Sequence, residues 1–243
     1  MSIFVPENYA KKVSEDDIYA GLLTGDHARA ATKTLLDADH AFLYARNFCA
    51  HLHKLGIVRS GAVLDIGCGA GAVTASFFRL FGGPVWGIDM SPAAIAYARN
   101  NFSGPNFIHG SADNLNSIDD NSLALVHARE FYPFSRTSDT DLHMRFIVAA
   151  RPKLKTDGLF CVVQIRDPSV GGGIHINLKN VQMHAKQAGF KRCGTLVMTL
   201  RSFFCHYGRL GQLFPVRQAI AMAGRCLEII KPGRVSYIYW FQA

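Results

Sequence analysis

A short apolar stretch that runs directly into three alternating glycines sets the strongest constraint on this chain. Val63-Leu64-Asp65-Ile66 has the composition of a buried strand, and Gly67, Gly69 and Gly71 follow it before a helical pattern begins at Ala72. Alternating glycines allow a sharp turn and let a ligand approach the backbone closely. This order of elements predicts the first unit of an α/β sheet, with a ligand at the carboxyl end of its first strand.

Strands and helices alternate along the rest of the chain. The apolar pattern predicts strands at 62–66, 85–88, 106–109, 123–127, 159–165, 194–200 and 236–241, and helices at 72–80, 92–101, 139–154 and 178–188. Ser91 is the expected N-cap of the second of these helices, and Gly158 is expected to close the third. Such alternation is typical of a doubly wound, mostly parallel sheet of seven strands with helices on both faces.

The 243 residues contain no internal repeat and no convincing linker, so we expect a single domain over 1–243. Within it, 1–58 is predicted to be a helical N-terminal extension or lid, 60–165 the ligand-binding core, and 166–243 the side on which an acceptor would bind. An inserted segment at 201–234 precedes the last strand. Residues 187–243 carry eight Lys and Arg against one acidic residue, a basic field suited to an anionic partner such as phosphate, carboxylate, nucleic acid or a lipid surface.

The six cysteines are dispersed, without a CxxC pair or a ligand-like histidine spacing. This pattern favours reduced thiols and predicts no metal site. No apolar run approaches the ~18 residues that a spanning helix needs, and the first residues do not resemble a secretory signal. A cytoplasmic protein without a transmembrane segment is therefore expected, with peripheral membrane contact by the basic segment 201–234 left open.

Two kinds of ligand compete for the glycine-rich turn. Gly67-x-Gly69-x-x-Ala72 satisfies the dinucleotide pattern G-x-G-x-x-G/A, and Asp89 follows at a distance suited to holding a ribose. Asp65 argues against a dinucleotide, because a carboxylate beside the first glycine would repel a pyrophosphate. The same carboxylate suits a ligand with a positively charged amino-acid head.

In the order of its landmarks, the sequence resembles the class I S-adenosylmethionine-dependent methyltransferases. Residues 63–71 are similar to their glycine-rich motif, 87–91 and 110–113 to the ends of their second and third strands, 125–131 to the fourth-strand region, and 154–160 to the lead into the fifth strand. The resemblance covers about residues 60–165. It implies a seven-stranded sheet whose last strand is antiparallel.

The resemblance also implies the cofactor, S-adenosylmethionine, and a role for each matching position. The turn with Asp65 would hold the methionine part, Asp89 both ribose hydroxyls, Met90 the adenine face, and Asp113 with the Ala112 backbone the exocyclic amine. The backbone at 128–129 would pass near the sulfonium. The expected cofactor-binding residues are Asp65, Gly67, Cys68, Gly69, Gly71, Asp89, Met90, Ser111, Ala112, Asp113, Asn114, Ala128 and Arg129.

The exit of the fourth strand mixes titratable and aromatic residues, as loops at functional sites often do. Glu130, His127 and Tyr132 are candidates to bind or deprotonate a methyl acceptor, and His175, in a glycine-rich stretch, is a further candidate base. His127 also has the alternative interpretation of a hydrogen-bonded core histidine. His143 is expected to be solvated.

Phe131 and Phe134 are expected to pack in the core. The segment 129–134 lacks the Asn/Asp-Pro-Pro-Tyr/Phe run expected of nucleic-acid amino-methyltransferases, which disfavours a nucleic-acid acceptor.

These features predict a methyltransferase that acts on an oxygen or nitrogen nucleophile of a small molecule, with an anionic group on the acceptor, in the biosynthesis of a natural product or cofactor. Two alternatives stay open. One is an NAD(P)-dependent oxidoreductase, and the other is a catalytically silent, methyltransferase-like partner subunit. A homodimer is plausible.

Overall fold

The computed structural model describes residues 38–55, 61–166, 178–198 and 235–243. The helices are α1 (Ala38–Leu52), α2 (Ala72–Leu80), α3 (Pro92–Asn101), α4 (Tyr132–Arg136), α5 (Thr140–Ala150) and α6 (Leu178–Gln187). The strands are β1 (Ala62–Ile66), β2 (Val85–Asp89), β3 (Asn106–His109), β4 (Leu123–Arg129), β5 (Leu154–Arg166), β6 (Arg192–Met198) and β7 (Val235–Gln242). Short 3-10 turns follow α1 and α5 at His53–Leu55 and Arg151–Lys153.

These strands form one sheet in the order β3-β2-β1-β4-β5-β7-β6. Neighbours from β3 through β5 pair in parallel, whereas β7 pairs antiparallel with both β5 and β6. The predicted α/β fold with its antiparallel last strand is confirmed. Because the strand order reverses between β1 and β4, a crevice is expected at the carboxyl ends of these two strands.

Two apolar layers cover the sheet. On one face, α1 and α2 pack against β1 and its neighbours through a cluster that includes Phe48 and Phe77. On the other face, α4, α5 and α6 contribute to a cluster built around Phe134 and Phe160. Burial on both faces explains why the central strands are almost continuously apolar.

Local sequence signals account for several helix boundaries. Ser91 is the N-cap of α3, where its hydroxyl oxygen accepts a hydrogen bond from Ala94 N at 3.2 Å, as predicted. Asp139 has the same role for α5, because its Oδ1 accepts from the backbone N–H groups of Asp141 and Leu142. Position 92 is a proline, which suits the first residue of a helix.

Two predictions near α5 are wrong. The predicted helix 139–154 ends at Ala150, because Pro152 cannot donate a backbone hydrogen bond and the chain passes through a 3-10 turn into β5. Gly158 therefore lies inside β5 instead of closing a helix. Asp157, with φ of 64°, forms an irregularity there, and the pairing of β5 with β4 shifts from Leu154 to Leu159.

The remaining differences between the predicted and observed elements are small, and several predictions concern residues that the structure does not describe. The one-turn helix α4 was not predicted, and β4, β6 and β7 differ from the predicted strands by one or two residues. Residues 1–37, the candidate base His175 and the basic segment 201–234 lie outside the described residues, so those predictions and the domain boundaries stay predictions. Within the described part of the chain, no helix is both long and apolar enough to span a bilayer.

Candidate active site

The glycine-rich turn lies at the carboxyl end of β1 and opens α2. The backbone N–H groups of Gly67 and Cys68 both donate to Ile88 O of β2, at 2.8 and 3.1 Å. Gly67, Gly69 and Gly71 all have left-handed φ values, of 66°, 53° and 86°. The turn is thus tied to β2 on one side while its backbone follows a path that other residues rarely adopt.

Side chains of neighbouring elements lie close against this turn. A Cβ atom added at Gly67 would lie 2.6 Å from Cδ2 of Phe131, the residue that precedes α4. Phe131 in turn packs edge-on against Phe146 of α5, with ring centroids 5.0 Å apart. The loop after β4 therefore closes onto the loop after β1.

Asp89 ends β2 directly beside the turn. Its Oδ2 accepts a hydrogen bond from Gly69 N at 2.9 Å, and its Oδ1 accepts from Ser91 N at 2.9 Å. The half-buried carboxylate therefore spans the turn after β1 and the cap of α3. A carboxylate oxygen can accept more than one hydrogen bond, so a vicinal diol is a suitable donor to this group.

The end of β3 carries the next group of predicted cofactor residues. Asp113 accepts a hydrogen bond from Ser111 Oγ and forms an ion pair with Arg145 of α5. Ala112 is buried, whereas Asn114 is exposed. Arg145 was missed from the sequence, where no motif distinguishes it. An adenine amine at this position would have to share the Asp113 carboxylate with both partners.

Met90 and Cys68 lie between these strand ends. Met90 is half-buried, and its carbonyl oxygen is 3.1 Å from Nε2 of His109. Burial raises the pKa of the Cys68 thiol well above its usual range, and the Asp89 and Asp65 carboxylates add to the effect. Cys68 is therefore a neutral thiol that packs under the turn, and we assign it no nucleophilic role.

The exit of β4 lies on the other side of the expected crevice. Ala128 is fully buried, and the Arg129 guanidinium lies over the Tyr44 ring of α1 at 4.1 Å. Glu130 adopts φ of 50° and donates its backbone N–H to Val163 O of β5 at 2.9 Å. A left-handed conformation at a non-glycine residue is uncommon and occurs often at functional sites. The half-buried Tyr132 then begins α4.

The structure places Asp65 and His127 inside the protein, beneath the crevice. They face each other across β1 and β4, and His127 Nδ1 is 2.7 Å from Asp65 Oδ1. His127 has no solvent exposure, and its Nε2 is 2.8 Å from the Tyr44 hydroxyl. This placement favours the core-histidine interpretation of His127 over a base in contact with the acceptor. Thr74 of α2 donates to Asp65 Oδ2 at 2.6 Å.

Sequence reasoning missed two further buried polar residues near this edge. His143, expected to be solvated, is instead fully buried, and its Nε2 lies 2.7 Å from Pro133 O. Burial lowers the pKa of His143 below its ordinary value of 6.5. Gln164 of β5 donates to Phe134 O, and its amide oxygen has no partner among the described residues. The aromatic predictions fared better, since Phe134 is buried and Phe131 packs against the same cluster.

The chain matches one protein-family model, a methyltransferase domain, over residues 63–162. No curated protein sequence is recognisably related to it. Solved structures with the same fold include phosphoethanolamine N-methyltransferase 2 of Haemonchus contortus, in complex with S-adenosyl-L-methionine, at a TM-score of 0.53 and 17% identity. That alignment covers 81% of this chain and 52% of the other, so this chain spans about half the length of that enzyme. A second structure of it contains phosphomonomethylethanolamine and S-adenosylhomocysteine.

Two other structures have TM-scores of 0.53. One is a putative sarcosine dimethylglycine methyltransferase of Galdieria sulphuraria, at 15% identity, with 82% of this chain and 84% of that chain covered. The other is the [4+2]-cyclase SpnF, at 17% identity, with 82% and 80% covered. At these identities the likeness shows the fold alone.

The matched segment begins in β1 and ends in β5, and it includes the glycine-rich turn, Asp89 and the exit of β4. Residues 63–162 therefore resemble a methyltransferase domain, and they lie within a seven-stranded sheet whose last strand, β7, is antiparallel.

Proposed function

We propose that this chain transfers the methyl group of S-adenosylmethionine to an oxygen or nitrogen nucleophile of a small molecule. The observation that carries the proposal is the position of Asp89, whose carboxylate lies beside the left-handed glycine turn at the point where strand order reverses. A carboxylate there suits a ribose diol, and a narrow backbone turn suits a close ligand. The residues present therefore fit the cofactor that the family implies.

Each wall of the crevice would have its own part in holding this cofactor. Asp89 would accept hydrogen bonds from the ribose hydroxyls, Met90 would pack on the adenine, and Asp113 would accept from its amine. The backbone of 67–71 would hold the methionine end, and the backbone at 128–129 would lie near the sulfonium. When bound, the cofactor supplies an electrophilic methyl group on a positively charged sulfur.

The acceptor would lie on the β4 side of the crevice. Glu130 follows β4 directly, so its carboxylate is our candidate to orient the acceptor nucleophile or to take its proton. Tyr132 is a further candidate for contact with the acceptor. Methyl transfer depends mainly on holding the nucleophile in line with the methyl group, and positioning alone can lower a barrier by roughly 7–11 kcal/mol. A general base adds about 10²–10⁴-fold where the nucleophile starts protonated.

We further propose that the acceptor carries an anionic group. Arg129 brings a guanidinium to the exit of β4, and the terminal 57 residues, 187–243, have the strongly basic composition noted above. The Haemonchus contortus protein with the same fold binds phosphomonomethylethanolamine, a phosphate ester. A role in the biosynthesis of a natural product or cofactor would suit such an acceptor.

The cellular compartment and the oligomeric state of the enzyme are also proposals. The four cysteines in the described ranges are all free, which supports a reducing compartment such as the cytoplasm. Residues in that part of the chain form no cluster of three or more His, Cys, Asp or Glu that could hold a metal ion. Homodimer formation and peripheral membrane contact stay predictions.

Calorimetry with S-adenosylhomocysteine and with NAD(P) tests the cofactor. We expect saturable binding of S-adenosylhomocysteine by the wild-type chain. Asp89→Asn should weaken that binding about ten-fold or more, because a carboxylate that accepts from two hydroxyls is lost. Asp120→Asn is the matched control, since Asp120 is exposed and pairs only with Lys153 among the ion pairs described. Binding of NAD(P) without S-adenosylhomocysteine would refute the proposal.

A turnover assay tests the proposed acceptor class and the role of Glu130. The chain is incubated with S-adenosylmethionine and a panel of phosphorylated and unphosphorylated small amines and phenols, and formation of S-adenosylhomocysteine is measured. Glu130→Gln should lower turnover while leaving cofactor affinity unchanged. Full activity of Glu130→Gln would remove this residue from the site, and a preference for unphosphorylated acceptors would contradict the anionic group.

A further inference from the structure

Four side chains from four different elements form one continuous hydrogen-bonded chain beneath the crevice. The Tyr44 hydroxyl of α1 lies 2.8 Å from His127 Nε2, and His127 Nδ1 lies 2.7 Å from Asp65 Oδ1. Thr74 of α2 donates to Asp65 Oδ2 at 2.6 Å. We call these four residues the buried relay. Since a carboxylate accepts, His127 Nδ1 carries a hydrogen, and the Nε2 of a neutral ring then accepts from the phenol.

The buried relay is closed off from solvent on all sides. Tyr44 and Asp65 are each 3% exposed, and His127 and Thr74 are not exposed at all. The rings of Phe48 and Phe77 each meet the His127 ring edge-on at a centroid distance of 4.9 Å. Packing of this kind fixes the imidazole orientation, and water cannot replace a donor that is removed.

The position of the buried relay matters because it brackets the glycine-rich turn. Asp65 lies two residues before Gly67, and Thr74 lies three residues after Gly71. The hydrogen bond between them therefore joins the two ends of the turn, while His127 joins this clamp to β4. Both walls of the crevice are held by the same carboxylate.

Tyr44 connects α1 directly with β4, and through His127 it is linked to Asp65 of β1. Its hydroxyl contacts His127, and the face of its ring carries the Arg129 guanidinium at 4.1 Å. A shift of α1 would therefore alter the support of Asp65 and the position of Arg129 together. Phe48 and Leu52 also pack α1 into the same apolar cluster.

We propose that Tyr44 and His127 are positioning residues for the cofactor, through which α1 controls the geometry of the glycine-rich turn. The proposal rests on the proposed function, because it assigns these residues to the same cofactor site. Neither residue touches the reacting atoms, and both act through the Asp65 carboxylate. Cofactor affinity is therefore expected to depend on a helix that contributes no residue to the predicted cofactor set.

Three substitutions separate hydrogen bonding from packing. His127→Leu removes the donor to Asp65. His127→Asn keeps an amide nitrogen close to the position of Nδ1. Tyr44→Phe removes only the hydroxyl and keeps the ring under Arg129. Cys161→Ala is the matched control, because Cys161 is fully buried and pairs with His127 across β5 and β4. This substitution alters packing beside His127 but removes no hydrogen bond of the buried relay.

The measurements are the dissociation constant for S-adenosylhomocysteine, the urea midpoint of unfolding, and KM and kcat for methyl transfer. We expect His127→Leu to raise the dissociation constant about ten-fold or more and Tyr44→Phe to raise it about 2–10-fold. His127→Asn should recover most of the loss. KM for S-adenosylmethionine should rise in the same order while kcat changes little, and Cys161→Ala should lower only the urea midpoint.

The outcomes distinguish this inference from the proposed function. Absence of S-adenosylhomocysteine binding by the wild-type chain would overturn both. The positioning role alone would be overturned by a different result. In that case the wild-type chain binds normally, and the dissociation constants of Tyr44→Phe and His127→Asn rise only as far as the loss of stability in their urea midpoints explains. If His127→Leu does not fold, Tyr44→Phe still decides, because its ring packing is retained.

Discussion

Gly71→Ala tests whether the geometry of the glycine-rich turn is as demanding as the contacts around it indicate. Gly71 has φ of 86°, and a Cβ added there would lie 2.7 Å from Ala98 Cβ and 2.8 Å from Phe107 Cε1. Both neighbours are buried, and Ala98 cannot yield without moving the backbone of α3. The left-handed conformation costs an alanine about 1–2 kcal/mol, and overpacking costs about 1–3 kcal/mol. A loss of about 2–5 kcal/mol in the free energy of unfolding follows.

Urea denaturation followed by circular dichroism measures this loss, with midpoints compared at a common slope. Gly82→Ala is the matched control, because nothing lies within 4 Å of its added Cβ and its φ is not in the left-handed range. We expect the control to be neutral or stabilising by up to about 1 kcal/mol. Equal midpoints for Gly71→Ala and Gly82→Ala would refute the steric reasoning, and with it the view that only glycine fits this turn.

Two further predictions concern helix capping and pH. Ser91→Ala should destabilise the chain by about 1 kcal/mol in the same denaturation assay, because Ala94 N loses its side-chain acceptor, and an unchanged midpoint would contradict the capping role. His143, whose pKa is lowered by burial, should make the chain less stable as the pH falls below 6.5, since the unfolded state then binds the proton first. The drop in midpoint between about pH 7.5 and about pH 5 should be smaller in His143→Gln, and an identical drop would refute the assignment.

The sequence predicted the central elements well because their physical signals are local. The bounds of β1, β3, α2 and α3 agree with the predictions, and each has an apolar run or a capping residue beside it. Prediction failed between α5 and β5, where the left-handed residue is Asp157 and the adjacent Gly158 suggested the end of a helix instead of an irregularity within a strand. The helix α4 is a single turn, too short for a helical period to be recognised.

The residues of the candidate site also differ in whether the sequence could predict them. Asp89 could be found because its spacing from the glycines is fixed by one strand and one helix. Tyr44 and His127 are 83 residues apart, and their contact depends on how α1 packs across the sheet. Arg145 reaches Asp113 from α5, which no local pattern indicates. Such partners are set by tertiary packing, so the sequence could propose the carboxylates but not what holds them.

Burial provides an argument for the location of the site that does not depend on any motif. The buried polar side chains of the described strands are Asp65, His127, Gln164 and Ser236. All four lie toward one edge, because β7 is antiparallel and Ser236 pairs with Ile165 near the end of β5. Elsewhere the buried strand positions are apolar, as expected where unpaired polar groups are costly. The sheet keeps its buried polar residues at the carboxyl edge, and Asp65 is hydrogen-bonded there to both β4 and α2. These hydrogen bonds fix a carboxylate close to the point where the strand order reverses, which is where ligands bind in open α/β sheets.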